Sequence, residues 1–408
     1  MKILIPTMGT RGDIQPYIAL SKKMMNSGFE VTIATHLCWK GLIENYNVKF
    51  VTLGPDIDIE YETAYIRGKS KNWIIGMIRT MRFVFKIIEK STFELKELCS
   101  EVDLVIASHS NIGAIEAEAN GVPFISVTLQ PDIIPKKFEK QSKIKVILDK
   151  LIGSLLNPLM VGPYNKLRKI HGLKKISSFD QLLSPLLNIV PISPLIYPPN
   201  KFWEEKNKVV GYWFVDESIN YKPDHILMDF IKSGPLPIII SLGAMGFESK
   251  EEKPKLDILI NSISKTGMRA IIQGFNKTLE NYQLGENILT IGNVPHTWLF
   301  KHGYCIIHHG GMSTTATAIY SGVPSIVIPH ITDQYFWANR VYELNLGPKP
   351  IHSKDLSEDS LVNAINRVKN NYDQFSDSAK VVAEKIQVEN GLEKTSELIK
   401  NILELQNN

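Results

Sequence analysis

Short apolar runs alternate with longer amphipathic stretches along this chain, a pattern typical of α/β proteins in which strands and helices follow one another. The first apolar run, Lys2 to Pro6, predicts a buried strand. A glycine-bearing loop from Thr7 to Gly12 follows it, then a helix from about Gln15 to Ser27 and a second strand from Glu30 to Thr35. The chain therefore opens with a βαβ unit of about 35 residues.

Two later stretches share one plan: an apolar strand, a turn of small residues, a helix, a Gly-Val-Pro turn and a second apolar strand. The first is Asp103 to Val127, with its turn at Gly121-Val122-Pro123. The second is Tyr304 to Gln334, with its turn at Gly322-Val323-Pro324. This repetition predicts two similarly built α/β halves, each with a parallel sheet.

The length of the chain, 408 residues, exceeds what one hydrophobic core usually serves. Prolines concentrate from Pro185 to Pro199, and the segment without a regular hydrophobic pattern continues to Tyr221. Because prolines interrupt helices and strand ladders, we expect an interdomain linker at about residues 185–221. The sequence therefore predicts two domains, residues 1–215 and 216–388, followed by a terminal helix within residues 389–408.

The stretch from Tyr304 to Gln334 has the features of a phosphate-binding site. Its predicted elements are a strand (Cys305 to Ile307), a glycine turn (Gly310-Gly311), a helix that opens at Ser313-Thr314, and a second strand (Ser325 to Pro329). A helix start presents unpaired N–H groups, and the two glycines let an anion approach the backbone closely. His309, Ser313 and Thr314 add side-chain donors. The stretch therefore favours a phosphate ligand, although a glycine turn alone also occurs at helix starts that bind nothing.

A carboxylate and an amide, Asp333 and Gln334, follow the next predicted strand, where the same rim of the sheet continues. They suit the hydroxyls of a sugar better than a phosphate, because the carboxylate would repel a phosphate. A diphosphate together with a sugar indicates a nucleotide sugar.

These residues together resemble the donor-binding signature of the family 1 glycosyltransferases. The fuller form, HHGGMSTT…GVP…DQ from His308 to Gln334, is most similar to the bacterial antibiotic (macrolide and glycopeptide) glycosyltransferases and the sterol glucosyltransferases. The resemblance implies an α/β protein of the GT-B type, with two Rossmann-like domains whose parallel sheets face a central cleft. It also implies that the first domain binds the acceptor and the second the nucleotide sugar. The terminal helix, roughly Glu393 to Leu405, would then pack back on the first domain, although the sequence alone also permits local packing.

The opening loop, PTMGTRGDIQP from Pro6 to Pro16, resembles the corresponding loop of the same family. The resemblance makes Asp13 the general base that takes the proton of the acceptor hydroxyl, as attack by an alcohol requires. A cap for the next helix is the alternative for Asp13, because Asp is favoured at helix N-termini. The resemblance also puts Arg11 and Gly12 near the diphosphate, with solvation as the alternative for Arg11.

Further residues complete the expected site. His109 follows a strand of the first half and is expected to line the acceptor cleft or to assist the base. The alternative is a histidine that is hydrogen-bonded within the fold and has no role in the reaction. Gly243 and Ala244 form a turn in which the family commonly has a serine after the glycine, with its hydroxyl near the diphosphate. Because alanine has no hydroxyl, only the backbone could contact the diphosphate here. The segment from Gly292 to Leu299 resembles the family's segment beside the nucleobase, which implies that the Val294 backbone pairs with the edge of the base. Thr317 stands where plant members have a glutamate for the ribose, which leaves UDP-glucose and dTDP-sugars both open as donors.

Other cofactors are disfavoured. Gly9-x-x-Gly12 is not the dinucleotide fingerprint, and His36 instead of an acidic residue follows the second strand, which disfavours a nicotinamide cofactor. Asp56 and Asp58 have the D-x-D spacing with which another glycosyltransferase fold holds a divalent cation, but a solvated acidic edge is the favoured interpretation. We therefore expect no metal, and no cofactor beyond the nucleotide-sugar co-substrate.

The formal net charge is +4, and the positive excess lies within residues 1–215. Basic residues recur in two amphipathic stretches, residues 71–90 and 136–151. Peripheral contact with an anionic membrane or an anionic partner is one interpretation, and charges solvated above an apolar cleft are the other. Neither stretch lies in a recognisable reader of nucleic acid, so nucleic acid is a disfavoured partner.

The compartment is indicated by cysteine usage. Cys38, Cys99 and Cys305 are scattered and lack CxxC spacing, which predicts a reducing cytosol and no disulfide framework or zinc site. The N-terminus resembles a first strand instead of a signal peptide, and no apolar run reaches the roughly 18 residues of a membrane span. We therefore expect a cytoplasmic protein, either monomer or homodimer.

The resemblance implies an inverting hexosyltransferase that acts on a hydroxyl of a natural product, sterol-like molecule or lipid. The helix N-terminus, with His309, Ser313 and Thr314, would stabilise the leaving diphosphate without a metal ion. Two alternatives stay open. A sugar-nucleotide epimerase or hydrolase of the same fold would use the same phosphate pocket, and a non-catalytic accessory subunit would keep the pocket without the base.

Overall fold

The computed structural model describes residues 1–69, 73–108, 111–129, 134, 161–219, 221–243, 252–280 and 282–407. The chain divides into two compact units. The first comprises Met1–Thr63, Met77–Val215 and Glu389–Asn408, and the second comprises Ala64–Gly76 and Asp216–Val388.

The first unit is built on a parallel sheet, which has seven strands within the described residues. The strands are β1 (Lys2–Pro6), β2 (Glu30–Thr35), β3 (Lys49–Thr52), β4 (Leu104–Ala107), β5 (Phe124–Val127), β6 (Asn188–Val190) and β7 (Asn207–Val209). Their order is β3-β2-β1-β4-β5-β6-β7, so the chain leaves β1 in one direction and returns to its other side at β4. This is the doubly wound order of dinucleotide-binding folds.

Helices connect these strands. They are α1 (Arg11–Asn26), α2 (Lys40–Glu44), α3 (Ile59–Gly68), α4 (Trp73–Ser100), α5 (Ala114–Asn120) and α6 (residues 161–170). Helix α1 crosses from β1 to β2, and α5 crosses from β4 to β5. These two crossovers are the βαβ units that the sequence predicts, and β1 and β2 have the predicted boundaries.

The second unit repeats the plan with a parallel sheet of five strands in the described part of the chain. The strands are β8 (Ile238–Ser241), β9 (Ala270–Gln273), β10 (Ile288–Ile291), β11 (Cys305–His308) and β12 (Ser325–Val327). Their order, β10-β9-β8-β11-β12, is the same winding around β8 as around β1. The two sheets therefore confirm the expectation of two parallel, Rossmann-like sheets.

Helices cover both faces of this sheet. They are α7 (His225–Lys232), α8 (Glu252–Thr266), α9 (Asn276–Leu279), α10 (His296–Leu299), α11 (Met312–Tyr320), α12 (Thr332–Glu343), α13 (Glu358–Asn370) and α14 (Tyr372–Gln387). Successive residues of a strand point to opposite faces. Ile238 and Ile240 accordingly join one core with α8 and α13, whereas Ile239 joins another with Leu299 and Phe300. Burial on both faces explains why these strands are continuous apolar runs without polar alternation.

The proline-rich segment 185–221 was expected to be a linker. It contains two strands of the first sheet. Asn188–Val190 and Asn207–Val209 form β6 and β7 at one edge of that sheet. Both strands have only three residues, and Pro191 follows the first directly. Proline breaks long ladders but is tolerated beside short edge strands, which is why its presence did not exclude a sheet here.

The last helix, α15 (Gly391–Asn407), belongs to the first unit. It packs along α1, where Lys23 pairs with Glu393 and the hydroxyls of Ser27 and Ser396 lie 3.2 Å apart. The buried indole N–H of Trp213 donates to the hydroxyl of Thr395 at 3.0 Å. Helix α15 thus completes the surface of the first unit.

Candidate active site

The strand order of the second unit identifies one place for a ligand. In doubly wound sheets, ligands bind outside the carboxyl ends of the strands at which the winding reverses. Those strands are β8 and β11, and Gly243 lies just after the first while His309, Gly310 and Gly311 follow the second. The structure therefore brings these four predicted donor residues together.

The imidazole of His309 lies between two glycines. A side chain at Gly243 would put its Cβ 2.7 Å from the His309 Cε1, and a Cβ at Gly311 would overlap the His309 Nε2. His309 is 5% exposed, and its Nδ1 is buried with no hydrogen-bond partner among the described residues. Burial, with smaller contributions from neighbouring histidines, lowers the pKa of His309 to about 3. At neutral pH the ring is therefore an uncharged hydrogen-bonding group with a nitrogen still to satisfy.

Gly310 forms the turn that leads from β11 to the helix. Its φ is +84°, and an added Cβ would lie 2.9 Å from Val327 Cγ1 and 3.0 Å from the carbonyl oxygen of Gln334. Both the backbone angle and the close neighbours require glycine here. The N–H of Gly310 donates to Nδ1 of the buried His308 at 3.1 Å.

Helix α11 begins directly after this turn, with Gly311 as its N-cap residue. Glycine has no side chain to cap the first N–H groups, and no side-chain cap is found among the described residues. Ser313 and Thr314 lie half-buried in the first turn, as predicted, and the next hydroxyl, Thr315 Oγ1, is buried without a hydrogen-bond partner in the part of the chain described. The helix start therefore presents backbone donors and hydroxyl groups at the same point as His309.

Asp333 and Gln334 lie in the first turn of α12, beside the glycine turn. Gln334 is buried, and its Oε1 accepts hydrogen bonds from the backbone N–H groups of His330 (2.8 Å) and Ile331 (3.3 Å). The amide oxygen thus caps its own helix, a role that the sequence interpretation did not include. Asp333 is half-buried at the helix start. Their contact with a sugar stays a prediction.

The segment expected at the nucleobase is tied to two strand ends. The carbonyl of Val294 accepts a hydrogen bond from Gln273 Nε2 at 3.1 Å, at the end of β9. Two residues on, His296 Nε2 lies 2.9 Å from the hydroxyl of Ser241, the last residue of β8. Side chains of neighbouring strands therefore hold the segment from Val294 to His296 in place.

In the first unit, Asp13 lies in the first turn of α1. Its Oδ2 accepts hydrogen bonds from the backbone N–H (2.8 Å) and the hydroxyl (3.0 Å) of Thr10, which precedes the helix. Helix α1 begins at Arg11, earlier than the expected Gln15, because Thr10 and Asp13 form the N-terminal capping box. Asp13 is thus a capping residue, and its role as general base stays a prediction. Arg11 and Gly12 are the first two residues of this helix and are half-buried.

Two contacts shape the loop before Asp13. Gly9 has a φ of +151°, and an added Cβ would lie 2.9 Å from the Cβ of Asp13. The indole N–H of Trp39, in a short 3-10 turn after β2, donates to the carbonyl of Gly9 at 3.1 Å. The loop is therefore fixed from both sides.

Other predictions can be placed. His109 and Ala244 lie outside the described residues, as does the basic stretch 136–151. Asp56 and Asp58 are exposed, and Asp58 accepts a hydrogen bond from the N–H of Tyr61 at 3.0 Å in the first turn of α3. Among the described residues, no group of three or more His, Cys, Asp or Glu is arranged to hold a metal ion. His36 is fully buried, and burial lowers its pKa.

The sequence interpretation missed residues that support the site. The doubled histidine is visible in the sequence, but His308 has no predicted role because the sequence does not show which group a side chain at the end of a strand contacts. Gln273 had a signal as the polar end of an apolar strand. Thr10 and Trp39 have no sequence signal for a supporting role beyond their residue types, because their partners are distant or depend on the path of the backbone.

No helix in the described part of the chain is long and apolar enough to cross a membrane.

Cys38 is exposed, Cys99 and Cys305 are buried, and all three are free thiols. Burial raises the pKa of Cys305 to about 12, so this thiol stays protonated inside the second sheet.

Comparisons with known proteins match both halves of the chain. Residues 3–138 match the glycosyltransferase family 28 N-terminal domain, and residues 259–404 match the C-terminal domain of erythromycin biosynthesis protein CIII-like proteins. A sterol 3-beta-glucosyltransferase of Arabidopsis thaliana is 30% identical over 391 residues, which are 90% of this chain and 62% of the relative. A sterol 3-beta-glucosyltransferase of Pichia angusta is 29% identical over 98% of this chain and 33% of the relative. The chain thus spans only part of the length of these relatives.

Solved structures share the fold over almost the whole length of the chain. The glycotransferase of kitacinnamycin has a TM-score of 0.73 at 16% identity, covering 98% of this chain and 99% of the other. The glycosyltransferase VinC, solved in complex with DTDP, has a TM-score of 0.70 at 18% identity, covering 99% of this chain and all of the other. At such identities the likeness shows the fold. The chain thus has the fold of the GT-B glycosyltransferases, and its sequence is similar to the glycosyltransferase family 28 N-terminal domain, to the erythromycin biosynthesis protein CIII-like C-terminal domain and to the sterol 3-beta-glucosyltransferases.

Proposed function

We propose that this protein is an inverting glycosyltransferase that moves a hexose from a UDP- or dTDP-sugar to a hydroxyl of a small-molecule acceptor. The observation that carries the proposal is the buried imidazole of His309, held between Gly243 and Gly311 at the uncapped start of α11 with one nitrogen unsatisfied. Such a nitrogen beside a helix N-terminus fits a diphosphate oxygen.

The donor half of the reaction belongs to the second unit. The N–H groups of the first turn of α11 and the side chains of His309, Ser313 and Thr314 would bind the diphosphate. As the bond between the anomeric carbon and the phosphate oxygen breaks, negative charge grows on the leaving diphosphate. Donors already oriented at that place stabilise this charge without reorganising. Because His309 is neutral, it contributes a hydrogen bond and not a full positive charge.

The base would be Asp13 of the first unit. It would take the acceptor O–H proton as the acceptor oxygen attacks the anomeric carbon from the face opposite the diphosphate, which inverts the configuration. Thr10 holds the carboxylate through two hydrogen bonds to one oxygen, which fixes the orientation of the group. The capping role and the base role are compatible, since a cap is a charged acceptor held at a defined position.

The class of acceptor is supported by kinship. The relatives that cover almost all of this chain are named sterol 3-beta-glucosyltransferases, which supports a sterol-like alcohol. VinC, which has the same fold, was solved with DTDP, and this supports a thymidine nucleotide as one of the two candidate donors. We therefore propose a sterol, a related lipid or a natural-product alcohol as acceptor.

Turnover of the purified protein tests the proposal. The protein is incubated with UDP-glucose or dTDP-glucose, with and without a 3β-hydroxysterol, and product is followed by mass spectrometry. We expect a β-glucoside from the α-linked donor, formed only when the acceptor is present. Equal consumption of donor without acceptor would favour the hydrolase or epimerase alternative. Nucleotide binding without turnover of any acceptor would favour the accessory subunit.

We also propose that α4 makes peripheral contact with an anionic membrane. The helix exposes Met77, Ile78 and Met81, each about 40% exposed, within little more than one turn. Three exposed basic residues lie on the same stretch of the helix: Arg79, Arg82 and Lys86. From residue 73 to residue 88 the helix has no acidic residue, so its charge complements anionic lipid. The free thiols support a reducing compartment, and with it a cytoplasmic location.

A further inference from the structure

His308 is a polar residue in the most buried part of the second sheet. It is the last residue of β11, it pairs in register with Ser241 of β8 and with Val327 of β12, and its side chain has no solvent exposure. Burial, with a smaller effect of His296, lowers its pKa to about 3, so the ring is neutral. Burial of an imidazole is costly unless its nitrogens are hydrogen-bonded, and the Nε2 of His308 has no hydrogen-bond partner among the described residues.

One nitrogen of His308 has a defined partner. Its Nδ1 accepts the N–H of Gly310 at 3.1 Å, two residues along the chain. An acceptor at Nδ1 puts the ring proton on Nε2, because a neutral imidazole has one donor and one acceptor. The ring is therefore held in one tautomer by the glycine turn, and the turn is held by the ring.

The two glycines of the turn have no side chains of their own to fix its shape. Gly310 has a left-handed backbone and packs against Val327 and the carbonyl of Gln334, and Gly311 caps α11 without a side chain. Glycines have the widest choice of backbone angles, so a Gly-Gly turn needs an outside constraint to stay in one conformation. The same turn sets the position of His309, which lies against Gly311.

We propose that His308 is a positioning residue of the donor site: by accepting the Gly310 N–H, it holds the glycine turn so that the start of α11 and His309 face the diphosphate. The inference rests on the proposed function, since it names a residue that supports the same site. His308 itself touches no substrate in this account. Its effect is on nucleotide affinity, through the backbone of the turn.

A pair of variants separates this role from packing. His308→Asn puts an amide oxygen near the place of Nδ1 and keeps an acceptor for Gly310. His308→Leu has a similar volume but no acceptor. Ile272→Val, in strand β9 of the same sheet and fully buried, is a control that loses packing in that sheet without touching the turn.

The experiment is calorimetric titration of each variant with UDP and dTDP, together with thermal unfolding. We expect His308→Asn to bind within about threefold of the wild type and His308→Leu to bind at least about tenfold more weakly. Ile272→Val should unfold at a lower temperature yet bind like the wild type. The Michaelis constant for the donor should rise in His308→Leu while that for the acceptor does not change.

Two results would overturn the inference. One is a His308→Leu variant that binds nucleotide like the wild type, and the other is a His308→Asn variant as weak as His308→Leu. If His308→Leu does not fold, His308→Gln replaces it, because its amide lies one methylene too far to occupy the Nδ1 position. Failure of the wild type to bind either nucleotide is a separate result, which removes the proposed donor site and this inference with it.

Discussion

Thr10 donates two hydrogen bonds to the same oxygen of Asp13, from its backbone N–H at 2.8 Å and from its hydroxyl at 3.0 Å. The pair closes the start of α1 and gives the carboxylate a fixed orientation. A carboxylate that merely caps a helix and one that also takes a proton have the same geometry here, so substitution must distinguish them.

Asp13→Asn keeps a capping side chain but cannot take a proton. We expect turnover to fall by about two to four orders of magnitude, the usual contribution of general base catalysis, while nucleotide affinity stays nearly unchanged. Stability should fall by at most about 1 kcal/mol, because an amide oxygen at this position in the first turn can still accept the N–H of Thr10 and only the favourable charge near the helix N-terminus is lost. Initial rates with saturating donor and acceptor measure the effect. Normal turnover in Asp13→Asn would remove Asp13 from the mechanism.

Thr10→Val is the matched control for that experiment. It removes the hydroxyl donor and keeps the backbone N–H, so the capping box is weakened while the carboxylate remains. We expect a loss of stability of about 1 kcal/mol. Turnover should fall far less than in Asp13→Asn, and a loss as large would mean that the cap and not the base is what matters.

Gly243→Ala tests whether the position of His309 matters. Gly243 has a φ of +65°, and an added Cβ would lie 2.7 Å from the imidazole. Gly267 has a φ of +64° with nothing within 4 Å of an added Cβ, so Gly267→Ala carries the same backbone strain without the contact. We expect both variants to lose about 1 kcal/mol of stability, and only Gly243→Ala to lose nucleotide affinity, by about tenfold. Equal affinities in the two variants would contradict the placement of His309.

Stability against acid should depend on the buried histidines. Burial lowers the pKa of His308 and of His309 from 6.5 to about 3 in the folded chain. The unfolded chain therefore binds more protons between these values, so stability is fully present above pH 6.5 and is lost as the pH falls toward 3. Each histidine contributes at most about 1.4 kcal/mol per pH unit.

The matching measurement is the unfolding temperature from pH 7 to pH 4. His308→Asn should show a shallower fall than the wild type, because one of the titrating groups is gone. His225→Asn, at an exposed position in α7, should follow the wild-type curve. Parallel curves for His308→Asn and the wild type would show that His308 does not titrate in this way.

Membrane contact through α4 is tested by flotation with lipid vesicles. We expect binding to vesicles that contain phosphatidylglycerol and little binding to pure phosphatidylcholine. The double variant Arg79→Glu and Arg82→Glu should weaken binding by at least about tenfold, since each basic residue contributes about 1 kcal/mol at such a surface. Lys380→Glu with Lys385→Glu, on the exposed face of α14, reverses as many charges elsewhere. If both double variants bind alike, the contact is not at α4.

Much of the fold follows from apolar runs in the sequence. Strands buried on both faces, such as Ile238–Ser241, are visible as continuous apolar segments, and helices between them need only an amphipathic pattern. The predicted start of α1, at about Gln15, is too late, because the interaction of Thr10 with Asp13 sets the boundary at Arg11. Strands β6 and β7 were missed since three-residue strands among prolines have no periodic signal.

Those parts of the candidate site that consist of consecutive residues could be predicted from the sequence. Contacts between residues far apart in the sequence could not. The motif from His309 to Thr314 is local, so its glycine turn and helix start were foreseen. The hydrogen bond from Gln273 to Val294 joins residues 21 positions apart, and that from Trp39 to Gly9 joins residues 30 apart. Such contacts depend on strand order, which a single sequence does not reveal. Gln334, foreseen as a sugar ligand, also caps α12.

The most direct test of the donor site is calorimetric titration of the wild type and of His309→Ala with UDP, dTDP and GDP, each with and without a chelator. The account predicts that UDP or dTDP binds the wild type with an affinity that the chelator does not change, and that His309→Ala binds at least about tenfold more weakly. Wild-type protein that binds no nucleoside diphosphate, or His309→Ala that binds as tightly as the wild type, would contradict it.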